Sequence, residues 1–322
     1  MSIHKFHGGG GLDVLTIFAK CFIINATMHK KGALMFAFEL QFLKWLEAIR
    51  TGFFTTLFEG ITILGEETLV ILFVVALWFA VDSRLAQKVF FVTICSTGLN
   101  GIVKNIAKVP RPFDKGVLPV RKETATGFSF PSGHTQSFST WSTLFAIEYK
   151  KKWLTALVAV FIPLVAFSRL YLGVHYPTDV IVGAALGVGM AFLGEYLFER
   201  TKDVKKLYLA VLLIFAPFIV YFLIVAHERF AGFFKAFGML GGLTLIAFLQ
   251  EKGKPLSYDV PWWKKLLRIV IGVALAFALK EGLKIFETGG VHVDLVLDTL
   301  RYFVVVFAVG YLCPLLFQKI KL

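Results

Sequence analysis

Two histidines, an aspartate and three basic residues stand where long apolar segments of this chain begin or end. They fall in three blocks along the sequence: Lys104 with Arg111-Pro112, then Pro131-Ser132-Gly133-His134, then Ser168-Arg169 with His175 and Asp179. Ionisable groups at membrane edges are costly and tend to be functional. The set suits phosphoryl chemistry, in which cations bind an anion, one histidine attacks it and another gives a proton.

The composition indicates that a membrane bundle positions these groups. Of the 322 residues, 57% are hydrophobic and only 17% are charged, whereas soluble domains carry about a quarter charged residues. Apolar stretches of about 20 residues alternate with short charged loops, which predicts an all-α, polytopic transmembrane helical bundle. The net charge of +13 does not indicate nucleic acid as a partner, because the basic residues fall in loops between spans.

We predict about ten spans, a six-span core followed by about four further C-terminal spans. The core spans lie near residues 53–65, 68–81, 88–108, 131–149, 153–173 and 179–198, and the others near 207–226, 230–250, 266–286 and 295–317. The chain then divides into an N-terminal extension with an interfacial helix (1–52), a core (53–206) and a C-terminal transmembrane extension (207–322).

The bias of lysine and arginine sets the predicted orientation. Basic loops such as 150–152 and 200–206 mark the cytoplasmic side. The alternate loops, 65–67, 109–131 and 173–179, then face the other way, so the three blocks meet on the extracytoplasmic or lumenal face. The loop 109–131 is itself basic, and a functional need for cations explains that exception to the rule.

The third block contains the predicted nucleophile. His175 and Asp179 are four residues apart, so both lie on one face of a helix that begins by His175. A carboxylate on one imidazole nitrogen fixes the tautomer and leaves the other nitrogen free to attack. The alternative is that Asp179 only caps the following helix, and residues 176–179 taken alone favour that alternative.

The second block opens a helix at His134. Proline is favoured at a helix start, glycine lets the backbone approach a ligand, and free N–H groups at that end bind phosphate oxygens. We expect Ser132 to donate a further hydrogen bond and His134 to act as general acid on the leaving oxygen. A serine N-cap beside an unrelated interfacial histidine is the simpler alternative.

The basic residues supply the predicted anion site. Arg111 and Arg169 suit bidentate binding of phosphoryl oxygens, and Lys104 adds a point charge. Snorkelling to the interface also explains Lys104, but it fits Arg169 less well because Arg169 lies inside an apolar run. These cations oppose a metal ion beside the histidines and Asp179, so we expect neither a metal nor another cofactor.

The three blocks, in this order, resemble the motifs of the type-2 phosphatidic acid phosphatase family, which also includes vanadium haloperoxidases and glucose-6-phosphatase. They match the three family motifs without a mismatch: Lys104, Arg111 and Pro112; Pro131 to His134; and Ser168, Arg169, His175 and Asp179. The resemblance covers roughly residues 53–198 and does not reach the C-terminal extension.

The resemblance implies a metal-independent mechanism. His175 attacks phosphorus and forms a phosphohistidine, Asp179 orients His175, and His134 protonates the leaving group before water hydrolyses the intermediate. Five residues of the motifs bind the phosphoryl group: Lys104, Arg111, Ser132, Gly133 and Arg169.

We therefore predict an integral membrane phosphatase that hydrolyses a lipid phosphate or diphosphate monoester, with a lipid and the bilayer as its partners. Three alternatives stay open: a phosphatase of water-soluble sugar phosphates, a lipid phosphotransferase with the same phosphohistidine, and a non-catalytic transporter of anions or lipids. The extension 207–322 carries no motif, and a substrate entrance, a homo-oligomer interface and lipid transport are open roles for it. Within it, Lys280, Glu281 and Lys284 interrupt an apolar run, and a cluster at the outer end of a span is the favoured explanation.

Overall fold

The computed structural model describes residues 36–225, 230–250 and 256–322, and all regular elements in these ranges are helical. The helices are α1 (36–48), α2 (Gly52–Thr62), α3 (Glu67–Ala76), α4 (Ser83–Ala107), α5 (Gly133–Tyr149), α6 (Lys152–Tyr171), α7 (Pro177–Arg200), α8 (Val204–Val225), α9 (Ala231–Gln250), α10 (Trp262–Gly282), α11 (Val291–Phe307) and α12 (Cys313–Lys319). Short 3₁₀ or π turns extend α2 to Gly65, α3 to Val81, α10 to Phe286 and α11 to Leu312. The predicted all-α membrane bundle is confirmed, while residues 1–35 of the predicted N-terminal extension lie outside the described ranges.

Within those ranges, six helical stretches are long and apolar enough to cross a membrane: Ser83–Lys115, Lys152–Tyr171, Pro177–Arg200, Val204–Val225, Ala231–Gln250 and Val291–Lys319. The pair Gly52–Gly65 and Glu67–Val81, bent by 52°, adds at most one more. The helices α5 and α10 are shorter or more charged, yet α5 connects the two ends of the bundle. Its last turn carries Glu148, which lies 2.8 Å from Lys88 near the start of α4.

The predicted first span, 53–65, does not cross the bundle. Arg50, just before α2, donates to the carbonyl oxygen of Tyr171 at 2.8 Å, and Gly65 at the other end packs against His134. Both ends of α2 therefore lie at the end of the bundle that carries the three sequence blocks. With its 3₁₀ turn, α2 is about 20 Å long, shorter than the roughly 30 Å of bilayer hydrocarbon. These contacts do not support two separate spans before residue 82, and six or at most seven of the about ten predicted spans meet the criterion of length and hydropathy.

Small residues bring α5 and α7 into close contact. A Cβ on Gly183 would lie 2.7 Å from the carbonyl oxygen of Ser132, and a Cβ on Gly187 would lie 2.4 Å from that of Gln136. Without a hydrophobic drive between helices in lipid, such glycine contacts are what lets backbones approach and pack. The N-terminal turn of α5 is thereby placed directly against the first turns of α7.

The C-terminal helices pack directly on the core. A Cβ on Gly98 of α4 would lie 2.4 Å from the Phe215 ring of α8, and a Cβ on Gly101 would lie 3.1 Å from Phe233 of α9. The glycines of α4 therefore receive aromatic rings from the extension, and the two parts share one buried apolar cluster. The division of the chain at residues 52 and 206 stays a prediction.

The predicted interfacial helix, α1, packs against the end of the bundle that carries the blocks. Its Leu43 and Leu46 are buried. The Glu39 carboxylate is buried too and accepts hydrogen bonds from the Thr178 amide at 2.8 Å and the Thr178 hydroxyl at 3.2 Å. The helix thus caps the N-terminus of α7, which is a contact that its amphipathic pattern alone did not predict.

Candidate active site

His175 and Asp179 meet at the junction of α6 and α7. Asp179 Oδ2 lies 3.1 Å from His175 Nδ1 and also accepts from the Tyr176 amide at 2.8 Å and the Ser129 hydroxyl at 2.5 Å. The helix begins at Pro177 rather than at His175. His175 therefore lies in the connection between α6 and α7, and Asp179 lies in the first turn of α7. Asp179 therefore both caps α7 and contacts His175, which combines the two alternatives considered from the sequence.

The contact on the second ring nitrogen identifies the tautomer of His175. Arg111 Nη1 lies 3.1 Å from His175 Nε2. Because a guanidinium only donates, Nε2 accepts and the ring proton is on Nδ1. Burial lowers the pKa of His175 well below its ordinary value, and the positive charges of Arg111 and Lys104 lower it further. The ring is therefore neutral at pH 7, and the lone pair of Nε2 is directed at a cation.

The basic residues of the first block donate to carbonyl oxygens of the loop that follows α4. Arg111 donates to Gly127 at 3.0 Å and to Thr126 at 2.5 Å, and Lys104 Nζ donates to Phe128 at 2.6 Å. The loop wraps around the cations, so their positions are fixed before any ligand arrives. Such preorganised donors stabilise developing negative charge without reorganisation at the moment of reaction.

Arg169 lies in the last turn of α6 and is fully buried, so snorkelling does not explain it. Its Nη1 donates to the Thr62 hydroxyl at 2.6 Å, and its Nη2 donates to the Thr124 hydroxyl at 3.3 Å. Its Nε has no hydrogen-bond partner among the described residues. A buried charged donor without a partner is costly, and an anionic ligand would satisfy it.

Ser132 is the N-cap of α5. Its hydroxyl accepts from the Thr135 amide and lies 3.0 Å from the Thr135 hydroxyl, as the simpler alternative for this residue proposed. Its backbone N–H donates to the carbonyl oxygen of Asp179 at 2.9 Å. Ser132 therefore connects the second and third blocks through its backbone, and a bond from its hydroxyl to phosphate stays a prediction.

Gly133 and His134 begin α5 next to this connection. A Cβ on Gly133 would meet only Asn100 Oδ1, at the ordinary contact distance of 3.4 Å, so packing within the described chain does not require glycine there. His134 Nε2 is buried without a hydrogen-bond partner among the described residues. This nitrogen is therefore available to a ligand atom, as the role of general acid requires.

The sequence did not predict Ser129 or the pair of Glu66 and Arg121. Ser129 donates to Asp179 from a loop position two residues before the second block, and that proximity was the available signal. Arg121 Nη1 lies 3.0 Å from Glu66 Oε1. Arg121 belongs to the basic loop 109–131, whose departure from the charge bias pointed to a further cation near the site.

These side chains form a buried, positively charged cluster at one end of a membrane-embedded helical bundle. It contains a neutral histidine oriented by a carboxylate, a second histidine with an available nitrogen, and three cations. All eight residues predicted as the site occur around this junction of α4, α5, α6 and α7: Lys104, Arg111, Ser132, Gly133, His134, Arg169, His175 and Asp179.

The chain belongs to the PAP2 superfamily. The model of that superfamily matches residues 85–203, and a second model, described as PAP2 superfamily phosphatase, transmembrane extension, matches residues 234–322. The first match contains the three blocks, and the second contains most of the C-terminal extension that carried no recognised motif.

Several known proteins are similar to parts of the chain. An undecaprenyl-diphosphatase from Sulfolobus acidocaldarius is 39% identical over 82 residues, which is 26% of this chain and 39% of that protein. A decaprenylphosphoryl-5-phosphoribose phosphatase from Mycobacterium tuberculosis is 38% identical over 86 residues, 27% of this chain and 46% of that protein. The chain thus spans less than half the length of these two curated relatives. The crystal structure of a transmembrane PAP2-type phosphatidylglycerolphosphate phosphatase from Bacillus subtilis aligns with a TM-score of 0.47 and 25% identity, over 58% of this chain and 96% of that chain.

Proposed function

We propose that this chain is a metal-independent membrane phosphatase that hydrolyses a lipid phosphate or diphosphate monoester through a phosphohistidine on His175. The observation that carries the proposal is the pair of contacts on one imidazole. Asp179 Oδ2 accepts a hydrogen bond from His175 Nδ1–H at 3.1 Å, and Nε2 faces Arg111 Nη1 at 3.1 Å. A phosphoryl group bound by Arg111 would therefore lie next to the lone pair that attacks it.

In the first step, His175 Nε2 forms a bond to phosphorus while the bond from phosphorus to the leaving oxygen breaks. His134, which the bound phosphoryl anion keeps protonated, gives its Nε2 proton to that oxygen, so the lipid leaves as a neutral alcohol or as a protonated phosphate. The imidazole of His175 becomes positively charged, and the Asp179 carboxylate stabilises that charge. Arg111, Arg169 and Lys104 stabilise the charge on the phosphoryl oxygens.

In the second step, water attacks the phosphohistidine in line. His134, now neutral, accepts a proton from that water, and the bond between Nε2 and phosphorus breaks to release inorganic phosphate. His175 returns to its neutral Nδ1–H tautomer, and His134 is again protonated. The cycle consumes one water molecule and needs neither a metal nor a redox partner.

The placement of the site supports a lipid as the substrate. The site lies at one end of the bundle, where a headgroup meets water while its tail stays in the bilayer. Lysines and arginines near Lys150 and Lys202 mark the opposite end, and the bias of basic residues makes that end cytoplasmic. We therefore place the site on the extracytoplasmic or lumenal face. The names of the two curated relatives make polyprenyl phosphates the first lipids to test.

Phosphate release from a panel of substrates tests the proposal. We expect purified protein to hydrolyse polyprenyl diphosphate or phosphatidic acid in micelles, to ignore glucose 6-phosphate, and to keep its rate in EDTA. His175→Ala should lower the rate at least about 10³-fold, because the nucleophile is lost. His292→Ala removes an exposed histidine at the same end of the bundle and should leave the rate unchanged.

Each alternative predicts a different result. A rate confined to glucose 6-phosphate would favour a sugar phosphatase, and phosphate transfer to an added lipid alcohol would favour a phosphotransferase. Loss of activity in EDTA with recovery in zinc would contradict the metal-independent mechanism. Retained hydrolysis in a folded His175→Ala protein would contradict the assignment of the nucleophile, and binding without hydrolysis of any substrate would favour a transporter.

A further inference from the structure

The break between α2 and α3 contacts three parts of the molecule through three consecutive residues. Gly65 packs so tightly on α5 that a Cβ there would lie 2.6 Å from the carbonyl oxygen of His134. Glu66 pairs with Arg121 at 3.0 Å. Glu67 is turned the other way, toward the C-terminal extension. The break therefore stands between the second block of the site and helices that carry none of its residues.

The extension binds this break through one carboxylate oxygen. The Tyr302 hydroxyl of α11 donates to Glu67 Oε1 at 2.7 Å, and Lys280 Nζ of α10 lies 3.3 Å from the same oxygen. Tyr302 is buried, so bulk water does not compete for its side chain. The Glu67 side chain is 42% exposed, so it is the buried phenol that fixes the geometry of this bond.

Tyr302 and Lys280 are themselves held by neighbouring charges. Lys235 Nζ of α9 lies 5.5 Å from the centre of the Tyr302 ring. Lys280 also lies 4.0 Å from Glu281. The cluster draws on α9, α10 and α11 together, and it fits the expected location of Lys280 at the end of a span. Among the described residues, its hydrogen bonds and ion pairs do not involve Lys104, Arg111 or Arg169.

The position of His134 depends on its backbone. Its Nε2 has no hydrogen-bond partner among the described residues, so no side-chain bond to that nitrogen aims the ring. The first turn of α5 is placed on one side by α7, through Ser132 and Gly183, and on another side by Gly65. A general acid displaced by a fraction of an ångström loses much of its effect.

We infer that Tyr302 and Lys280 are positioning residues for His134 and act through Glu67 and Gly65. The C-terminal extension thereby sets how well the leaving oxygen is protonated. This inference rests on the proposed function, in which His134 is the general acid. It gives the extension a part in the reaction that requires neither a substrate contact nor a second activity.

The basicity of the leaving group distinguishes a role in positioning His134 from a general role in stability. An alkyl phosphate expels a strongly basic alkoxide and needs the proton from His134. An aryl phosphate such as 4-nitrophenyl phosphate expels a weakly basic phenolate and needs it far less. Misplacement of His134 therefore lowers kcat on the alkyl substrate selectively, whereas general damage to the site lowers kcat on both.

The experiment compares kcat and KM on a long-chain alkyl phosphate and on 4-nitrophenyl phosphate in the full chain. We expect Tyr302→Phe and Lys280→Met to lower kcat on the alkyl phosphate about tenfold and on the aryl phosphate less than about twofold, with KM little changed. Lys280→Arg keeps the charge next to Glu67 and should retain most of the rate. Activity on the aryl phosphate reports in the same sample that the protein is folded.

Two matched controls lie on the turns that continue α11 and α10. Tyr311→Phe makes the same change on the turn that continues α11, at the opposite end of the bundle, where the Tyr311 ring stacks on Phe307. Lys284→Met removes a lysine that pairs with Glu281 at 2.6 Å and not with Glu67. Both should keep the rates of the unchanged protein on both substrates.

A double variant tests whether the residues act along one route. The double variant Glu67→Gln, Tyr302→Phe should have a kcat on the alkyl phosphate no lower than that of the slower single variant, because both changes remove the same contact. Equal losses on the alkyl and aryl substrates, additive losses in the double variant, or no loss at all would each overturn the inference. If the unchanged protein hydrolyses neither substrate, the proposed function itself fails, and the inference fails with it.

Discussion

At the scale of single residues, the state of His175 is the property on which the proposed chemistry depends. The ring is buried, its Nδ1 faces a carboxylate and its Nε2 faces a guanidinium. The carboxylate holds the ring proton on Nδ1, and the guanidinium keeps Nε2 unprotonated, since protonation of Nε2 would place a second positive charge against Arg111.

Nitrogen NMR of ¹⁵N-histidine-labelled protein tests this state. The pKa of His175 is lowered, so the native ring stays neutral as the pH falls through the ordinary histidine value of about 6.5, while the unfolded chain takes up a proton there. We expect the signal that is absent from His175→Ala to show a neutral Nδ1–H ring at pH 5.5. Because the unfolded chain binds this proton and the native chain does not, the free energy of unfolding should decrease as the pH falls below 6.5. A protonation midpoint at or above 6.5, or an Nε2–H tautomer, would contradict the assignment.

The residues of the site were predictable from the sequence, but most of their partners were not. Motif order and spacing predicted that His175, Asp179 and His134 lie together, as they do, and their roles in the reaction stay predictions. The hydroxyls that accept hydrogen bonds from Arg169 belong to Thr62 and Thr124. Thr62 lies at the end of a helix, and Thr124 lies in a short turn. Such partners follow from the path of a loop, and loop paths leave no periodic pattern in the sequence.

At the scale of elements, the contact between α5 and α7 places His134 against the pair of His175 and Asp179. That contact depends on glycine at two positions one turn apart, Gly183 and Gly187. Adding a methyl group at either position forces the two helices apart at the ends that carry His134 and the pair of His175 and Asp179.

Gly187→Ala tests the role of this contact. A Cβ at Gly187 would lie 2.4 Å from the Gln136 carbonyl oxygen and 2.6 Å from Ser139 Cβ, so we expect a loss of about 1–3 kcal/mol in stability. Activity should fall as well, because α5 must shift relative to α7. Gly189→Ala is the matched control on the same helix, since a Cβ there meets nothing within 4 Å. Thermal melting in detergent and phosphate release measure both effects, and equal behaviour of the two variants would count against the packing argument.

The elements were predicted well where hydrophobic runs were long, and less well near residues 53–81. Two apolar runs separated by Gly65 predicted two short spans. The contact of Arg50 with Tyr171 and of Gly65 with His134 places both ends of the first run at one end of the bundle. Hydropathy measures how apolar a segment is, and only tertiary contacts decide whether it crosses or lies along the surface.

At the scale of the whole molecule, the core and the extension form one packed unit. Aromatic rings of α8 and α9 fill the space next to the glycines of α4. The extension also binds Glu67 at the break between α2 and α3. The helix α4 carries Lys104, so loss of the rings that pack on α4 should displace Lys104.

Removal of residues 204–322 tests this unity. We expect the shortened chain to melt at least about 5 °C lower and to lose several-fold in kcat, because α4 loses the rings that pack on it. Co-expression of residues 204–322 as a separate chain should restore both properties by reassembly in the membrane. A shortened protein with unchanged melting and kinetics would show that the core is self-sufficient.

The carbonyl contacts of Arg111 and Lys104 have a consequence for turnover. These cations have acceptors within the protein itself, which are main-chain oxygens at 2.5 to 3.0 Å. In the proposed reaction, an incoming phosphoryl group therefore exchanges one set of hydrogen bonds for another, and only the difference contributes to affinity. After hydrolysis, the same carbonyls compete with inorganic phosphate for the guanidinium and the ammonium. Product inhibition by free phosphate should accordingly be weak, and the alcohol left in the bilayer diffuses away without being held by its former headgroup.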